Sequence, residues 1–149
     1  MTDAPGPATL SLARRGELLA GCQLFAGIDA DGLAALAGRA TQVAFPAGHV
    51  IARQGEIGTG FFVVIDGRVR VVRDGAVIAT LGPGEFFGEL SVLDRQPRNA
   101  MVAAEVATTC LALASWDFEA VLIEQPRLTL AILRGVAARL RRATDPARH

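Results

Sequence analysis

The chain contains Phe87-Gly-Glu-Leu-Ser-Val-Leu-Asp-Arg-Gln-Pro-Arg-Asn-Ala100, which combines a glycine, a carboxylate and a proline–arginine pair. Gly88 has no side chain, so a bound group can approach the backbone closely there. The amides of Glu89, Leu90 and Ser91 follow at the predicted start of a short helix. Unpaired N–H groups and the helix dipole favour an anion at such a position. The stretch therefore predicts a site for a phosphate group.

Arg98 and Glu89 supply the charged side chains of this predicted site. The planar guanidinium of Arg98 can bind two phosphate oxygens at once, and the amide of Ala100 can donate to the same group. A carboxylate repels a phosphate, so Glu89 is expected to accept a hydrogen bond from a sugar hydroxyl while Arg98 offsets its charge. Taken alone, the two side chains also suit a structural ion pair that pins a loop. The complete arrangement favours a small phosphorylated sugar as the ligand.

The order Phe-Gly-Glu-Leu, a short spacer and Pro-Arg-x-Ala resembles the phosphate-binding cassette of the cyclic nucleotide-binding domain family. The resemblance extends over about residues 24–142. It implies that Arg98 binds the cyclic phosphate of cAMP or cGMP and that Glu89 binds the ribose 2′-hydroxyl. The backbone groups that it adds to the site belong to Gly88, Glu89, Leu90 and Ala100.

The sequence indicates the residues that would contact the base less clearly than those that would contact the sugar phosphate. The resemblance implies that the purine meets apolar strand residues, with Ile78 and Ala79 as the candidates. Asn99 stands where the family usually has alanine, serine or threonine, and threonine there accompanies a preference for cGMP. An asparagine amide can donate or accept, so the choice between cAMP and cGMP stays open. Ser91 stands where the family often has alanine, a small-for-small exchange.

Strand and turn signals surround the cassette. From Thr41 onward, apolar and polar residues alternate and turn residues recur roughly every eight positions. The predicted strands are Gln42–Phe45, Val50–Arg53, Phe61–Ile65, Arg68–Arg73, Ala76–Leu81, Ala100–Glu105 and Thr109–Leu113. Asp66-Gly67 and Asp74-Gly75 are predicted tight-hairpin turns. With the resemblance, this pattern predicts a mainly β fold with flanking helices (α+β), an eight-stranded antiparallel jelly-roll β-barrel.

Helical spacing occurs on both sides of the predicted strands. The predicted helices are Leu10–Cys22, Ala30–Gly38 after an Asp29 N-cap, Trp116–Glu124 after a Ser115 N-cap, and Pro126–Ala143. Trp116 is expected in the core. The last helix carries an apolar stripe broad enough to pack on the barrel or on a second copy. Residues 9–144 form one predicted domain, with a disordered tail at residues 1–8 and a second tail at residues 145–149.

Composition narrows the class of protein. The chain has 149 residues, is 51% hydrophobic and has a formal net charge of +0, so no whole-domain field attracts nucleic acid or a membrane. No basic-then-apolar secretory signal opens it, which favours a cytoplasmic protein. No helix-turn-helix is expected after the last helix. The expected partners are a cyclic nucleotide and, through the last helix, a protein or a second copy.

Enzyme and metal functions are disfavoured by the residue inventory. His49 and the terminal His149 are the histidines of the chain, too few for a cupin-type metal site or a catalytic triad. Cys22 and Cys110 lie in different predicted elements and are too few for a four-cysteine cluster. We therefore predict no catalytic residue, no metal and no cofactor. The alternative to a nucleotide-binding module is an interaction domain of the same fold without a ligand.

Overall fold

The structure, a computed structural model, describes residues 9–58, 60–88 and 93–144. The described helices are α1 (Leu12–Ala20), α2 (Ala30–Arg39), α3 (Ser115–Glu124) and α4 (Pro126–Ala143), with a short 3-10 turn at Gln23–Phe25. The strands are β1 (Thr41–Phe45), β2 (Val50–Ala52), β3 (Gly60–Asp66), β4 (Val69–Arg73), β5 (Ala76–Leu81), β6 (Phe86–Phe87), β7 (Met101–Ala104) and β8 (Thr108–Ala114). The two predicted tails lie outside the described residues. So do residues 89–92, on which most of the predicted cassette helix falls.

The strands form two four-stranded antiparallel sheets. One sheet has the order β1-β8-β3-β6 and the other has the order β2-β7-β4-β5. Neighbours such as β1 and β8 are far apart in sequence, with Val43 opposite Cys110. The predicted mainly β fold, an eight-stranded antiparallel jelly roll with flanking helices, is confirmed.

The central strand β3 is buried on both faces, which explains its continuous apolar run. Phe61 and Val63 belong to the core cluster that also contains the helices. Val64 belongs to a second cluster between the two sheets, and Phe62 packs against that cluster. Successive side chains of a strand point to opposite faces. One strand therefore serves two cores, and each buried apolar side chain contributes about 1.5–3 kcal/mol to folding.

Of the two predicted aspartate–glycine hairpins, the structure contains one. Asp74 and Gly75 have positive φ values of 52° and 82° and join the paired strands β4 and β5, so this hairpin is confirmed. The prediction for Asp66-Gly67 is wrong, because β3 and β4 lie in different sheets. Here the chain crosses between the sheets, and a Cβ on Gly67 would lie 2.6 Å from the carbonyl oxygen of Ala107. This crowding and the φ of +97° at Gly67, rather than strand pairing, require the glycine.

Of the two predicted helix N-caps, one is confirmed and the other is wrong. The Asp29 Oδ1 atom accepts a hydrogen bond of 2.8 Å from the Gly32 amide, which confirms that N-cap. Ser115 is instead the first residue of α3, and its N-cap is Ala114, which has no side chain that could bond. Trp116 is 66% exposed, so its predicted burial is wrong. Phe118, one of the buried residues of α3, packs in the core instead.

The last helix buries a narrower face than its apolar spacing predicts. Leu128 and Ile132 are buried and Val136 packs partly against the same cluster. Leu133 and Leu140, which also belong to the apolar stripe of this helix, are 61% and 64% exposed. These two side chains are therefore available to another surface. Taken over the described helices, none is long and apolar enough to cross a membrane.

Candidate functional site

The site begins where β6 ends and the backbone turns sharply at Gly88. This glycine has a φ of +90°, a conformation that residues with side chains rarely adopt. A Cβ at this position would lie 2.6 Å from the carbonyl oxygen of Gly60 and 2.9 Å from the Nη1 atom of Arg98. The absence of a side chain thus lets the cassette backbone lie directly against β3 and Arg98.

The backbone of Arg98 is held by the loop that follows β2. The Arg98 amide donates to the Glu56 carbonyl at 2.7 Å, and the Gly55 amide donates to the Arg98 carbonyl at 2.8 Å. Ile57 and Pro97 form an isolated antiparallel bridge beside these bonds. This pairing of two loops fixes where the arginine side chain starts.

The guanidinium of Arg98 lies among three glycines. Its Nη2 atom donates to the Gly60 carbonyl at 2.9 Å, and the residue is only partly exposed. Gly58 and Gly88 approach the guanidinium so closely that a Cβ on either would overlap it. A partly buried cation held in one orientation loses little conformational entropy when it pairs with an anion.

A cavity of about 350 Å³ opens beside this guanidinium, within the size range of small-molecule sites. Its lining comprises Val71, Leu81, Phe86, Phe87, Gly88, Asp94, Pro97, Arg98, Asn99, Ala100 and Val102. Apolar strand residues thus share the wall with the Arg98 cation and the polar backbone near it. The Asp94 carboxylate accepts a hydrogen bond from the Gln96 amide at 2.9 Å. The cavity can take a ligand with one anionic and one apolar part.

The structure brings four of the predicted site residues together and leaves the others apart or undescribed. Gly88, Arg98, Asn99 and Ala100 all line the cavity. The predicted contacts of Glu89, Leu90 and Ser91 lie outside the described residues. Ile78 and Ala79 are exposed on β5 and are not among the described residues that line the cavity.

Sequence reasoning missed the strand residues that form the apolar wall. Val71 stands opposite Ala79 in the β4–β5 pair, and Leu81 lies two residues further along β5. Val71 and Leu81 line the cavity, whereas Ala79 does not. The alternation of Val69 and Val71 with arginine in β4 is the signal that favours these valines as inward-facing residues.

A second set of hydrogen bonds links the β4–β5 hairpin to the site. Gln54 and Asp74 exchange two bonds, from Gln54 Nε2 to Asp74 Oδ1 at 2.8 Å and from the Asp74 amide to Gln54 Oε1 at 3.1 Å. Arg73 Nε donates to the Asn99 carbonyl at 3.1 Å. The hairpin tip is therefore tied both to the loop that holds Arg98 and to the residue after Arg98.

Phe86 connects the cavity with α4. Its ring lines the cavity on one side, and the guanidinium carbon of Arg139 lies 5.4 Å from its centroid, a cation–π distance. Phe86 and Arg139 also line a smaller space of about 160 Å³ against α4. One aromatic ring thus stands between the cavity and the last helix.

Comparison with known proteins shows the same fold and a related sequence. A "CRP-like cAMP-activated global transcriptional regulator" of Mycobacterium tuberculosis is 34% identical over 139 residues, which are 87% of this chain and 60% of that protein. A cyclic nucleotide-gated potassium channel of Mesorhizobium japonicum is 40% identical over 99 residues, which are 62% of this chain and 27% of the channel. The chain therefore spans less than two thirds of the length of either relative.

A solved structure gives the same result at the level of the fold. The N-terminal domain of a transcriptional regulator from Streptomyces coelicolor superposes with a TM-score of 0.78 and 34% identity, covering 87% of this chain and 96% of that domain. The family model for the cyclic nucleotide-binding domain matches residues 42–125, which are more than half of the chain and include every residue named above as lining the cavity. The chain belongs to the cyclic nucleotide-binding domain family.

Proposed function

We propose that this protein binds a cyclic nucleotide, cAMP or cGMP, in the 350 Å³ cavity and acts as a regulatory module. The observation that carries the proposal is the guanidinium of Arg98, partly buried and oriented by the Gly60 carbonyl at the cavity wall. A cyclic phosphate diester carries one negative charge, which one guanidinium can pair through two parallel hydrogen bonds. The glycine turn at Gly88 lets the backbone lie directly against Arg98, which brings backbone groups and the guanidinium together at the cavity.

The cassette residues between Gly88 and Asp94 complete the proposed site. The Glu89 carboxylate accepts a hydrogen bond from the ribose 2′-hydroxyl, as the resemblance implies. The backbone amides of Glu89, Leu90 and Ser91 donate to the phosphate, as does the amide of Ala100. The sugar phosphate is then recognised by one cation, one carboxylate and several amides.

The purine is proposed to lie against the apolar wall formed by Val71, Leu81 and Val102. These side chains offer contact area but no hydrogen bond that separates adenine from guanine. Asn99 supplies an amide where a threonine hydroxyl would favour cGMP. The relative from Mycobacterium tuberculosis is named for activation by cAMP. These two observations make cAMP the ligand to test first.

The proposed output is a shift of α4. A ligand that closes on the cavity wall displaces or clamps the Phe86 ring, which the Arg139 guanidinium covers from α4. A ligand shifts a conformational equilibrium only as far as it prefers one state. Leu130, Leu133 and Leu140 are exposed on this helix and present a surface for a protein partner or a second copy.

The expectations about cellular location, catalysis and nucleic-acid binding stay predictions. The chain is expected to be cytoplasmic and not an enzyme, on the sequence grounds given above. The expectation that nucleic acid is not a partner also stays a prediction, since one relative is named a transcriptional regulator.

Isothermal titration calorimetry with cAMP and cGMP tests the proposed function. We expect saturable binding of at least one nucleotide, and a ligand at one hundred times its Kd should raise the free energy of unfolding by about 2.7 kcal/mol. Arg98→Leu should weaken binding at least tenfold and change the Tm by only a few degrees. Arg134→Leu, which removes an exposed arginine of α4 away from the cavity, is the matched control and should bind normally.

Two outcomes would contradict the proposal. The absence of heat and of any thermal shift at millimolar nucleotide would favour the alternative, an interaction domain of the same fold without a ligand. Equal affinity of the parent and the Arg98→Leu variant would place the ligand elsewhere on the protein.

A further inference from the structure

Gly58 lies against the guanidinium of Arg98 at a distance that leaves no space for a side chain. A Cβ on Gly58 would stand 2.5 Å from Cζ, 2.6 Å from Nη2 and 2.8 Å from Nε of Arg98. All three distances are far below van der Waals contact, which for carbon atoms is about 3.5–4.0 Å. The residue is buried, so the guanidinium occupies the volume that any other residue would fill.

The need for glycine here concerns space and not backbone conformation. The φ angle of Gly58 lies outside the left-handed region, in contrast to the +90° of Gly88. At Gly88 the nearest atom to an added Cβ is the backbone carbonyl of Gly60, at 2.6 Å. At Gly58 the three nearest atoms all belong to the end of one flexible side chain. An alanine at position 58 would therefore move the guanidinium and leave the fold in place.

Displacing the guanidinium would change the geometry with which the cavity can bind an anion. In the structure, the guanidinium lies against Gly58 and its Nη2 atom donates to the Gly60 carbonyl, and both contacts restrict the plane of the guanidinium. Bidentate pairing with an anion requires that plane to meet two oxygens at once. A shift of the guanidinium by even about 1 Å can cost a positioned contact most of its effect.

We propose that Gly58 is a positioning residue of the anion site, which holds the Arg98 guanidinium in its ligand-binding orientation by leaving space for it. This inference rests on the proposed function, since it needs a phosphate-bearing ligand beside Arg98. It adds a residue in the loop before β3 to the site, outside the stretch from Gly88 to Ala100. Gly58 does not line the cavity itself and acts through Arg98.

The test compares Gly58→Ala with Gly82→Ala by calorimetry with cAMP and cGMP and by thermal unfolding without ligand. Gly82 is a matched control, because it also lies outside the left-handed region and nothing lies within 4 Å of its added Cβ. We expect Gly58→Ala to bind at least tenfold more weakly with a ligand-free Tm within a few degrees of the parent. Gly82→Ala should match the parent in both measurements.

A double-mutant cycle separates positioning from a general effect on the fold. In an Arg98→Lys background no planar guanidinium lies against position 58, so adding Gly58→Ala should cost less than threefold in affinity. A further tenfold loss in the double variant would overturn the inference, because Gly58 would then act independently of Arg98.

Three other results would refute either this inference or the proposed function. Parent-like affinity of Gly58→Ala, beside a weakened Arg98→Lys, would overturn the inference and leave the proposed function intact. A fall of more than about 10 °C in the ligand-free Tm of Gly58→Ala would overturn it as well, since the fold rather than the guanidinium would then carry the cost. Failure of the parent to bind either nucleotide would refute the proposed function instead.

Discussion

Replacing Gly88 by alanine should destabilise the fold itself, unlike the same change at Gly58. Two separate penalties arise at this position. The φ of +90° is a strained conformation for alanine, and the added Cβ would lie 2.6 Å from the Gly60 carbonyl oxygen. That oxygen belongs to the backbone of β3 and cannot move alone.

A second glycine allows the two penalties to be separated. Gly84 has nearly the same φ, +87°, but nothing lies within 4 Å of its added Cβ. Gly84→Ala therefore carries the backbone strain alone, about 2 kcal/mol. Gly88→Ala carries the same strain and an overpacking cost of about 2 kcal/mol more.

Thermal unfolding of the two variants without ligand measures the difference. For a chain of this length 1 kcal/mol corresponds to about 2–4 °C, so we expect Tm to fall by about 4–8 °C for Gly84→Ala and about 8–16 °C for Gly88→Ala. Equal shifts for the two variants would refute the argument that the cassette lies against the β3 backbone at Gly88. A parent-like Tm for both would refute the backbone conformation as well.

Two further predictions concern the core and the second helix. Burial raises the pKa of the Cys110 thiol from 9.0 to about 12, so the folded protein keeps this proton between pH 9 and 12 while the unfolded chain loses it. The free energy of unfolding should therefore fall with rising pH across that window, and the fall should be smaller in Cys110→Ala, which keeps only the buried thiol of Cys22. Reaction of Cys110 with iodoacetamide at pH 8 without unfolding would contradict its burial. Asp29→Ala removes the N-cap bond to Gly32 and should cost about 1 kcal/mol by urea unfolding. Asp31→Ala in the same helical turn should cost less, and equal costs would show that the cap bond contributes nothing.

The strand pattern of the sequence predicts most of the fold, but not which strands pair. Asp66-Gly67 and Asp74-Gly75 are the same dipeptide between alternating runs, yet only the second joins paired strands. Both edges of β3 are already paired, one with β6 and the other, as far as Asp66, with β8. The partner β8 lies more than forty residues away in the chain and leaves no local signal at position 66.

In the candidate site, too, the residues that follow from the local order of the sequence are predicted correctly, whereas the strand residues that contact the cavity are not. The cassette order predicts Gly88, Arg98, Asn99 and Ala100, all of which line the cavity. Ile78 and Ala79 lie on the correct strand but not on the cavity wall. Ala79 stands opposite Val71 and shares a face of β5 with Leu81, so the predicted face is right for Ala79 although it does not reach the cavity. Ile78 falls where the register of β4 and β5 shifts, and there strand alternation does not predict the direction of a side chain.

Exposure of Trp116 has a similar origin. An apolar residue in the first turn of a helix is buried only if the neighbouring elements reach it, and in α3 they reach Phe118 and Val121 instead. A large aromatic residue is therefore a weaker indicator of burial at a helix end than in its middle. Spacing alone does not reveal where the neighbouring elements stop.

The loop of residues 54–56 is bonded on two sides, through Gln54 to Asp74 and through Gly55 and Glu56 to Arg98. These groups come from three regions that are about twenty residues apart along the chain. Because all of these bonds involve the same short loop, we expect the three regions to open to solvent together, as one cooperative unit of hydrogen exchange. An anion that immobilises the guanidinium would therefore slow exchange at the distant hairpin tip, although it touches nothing there.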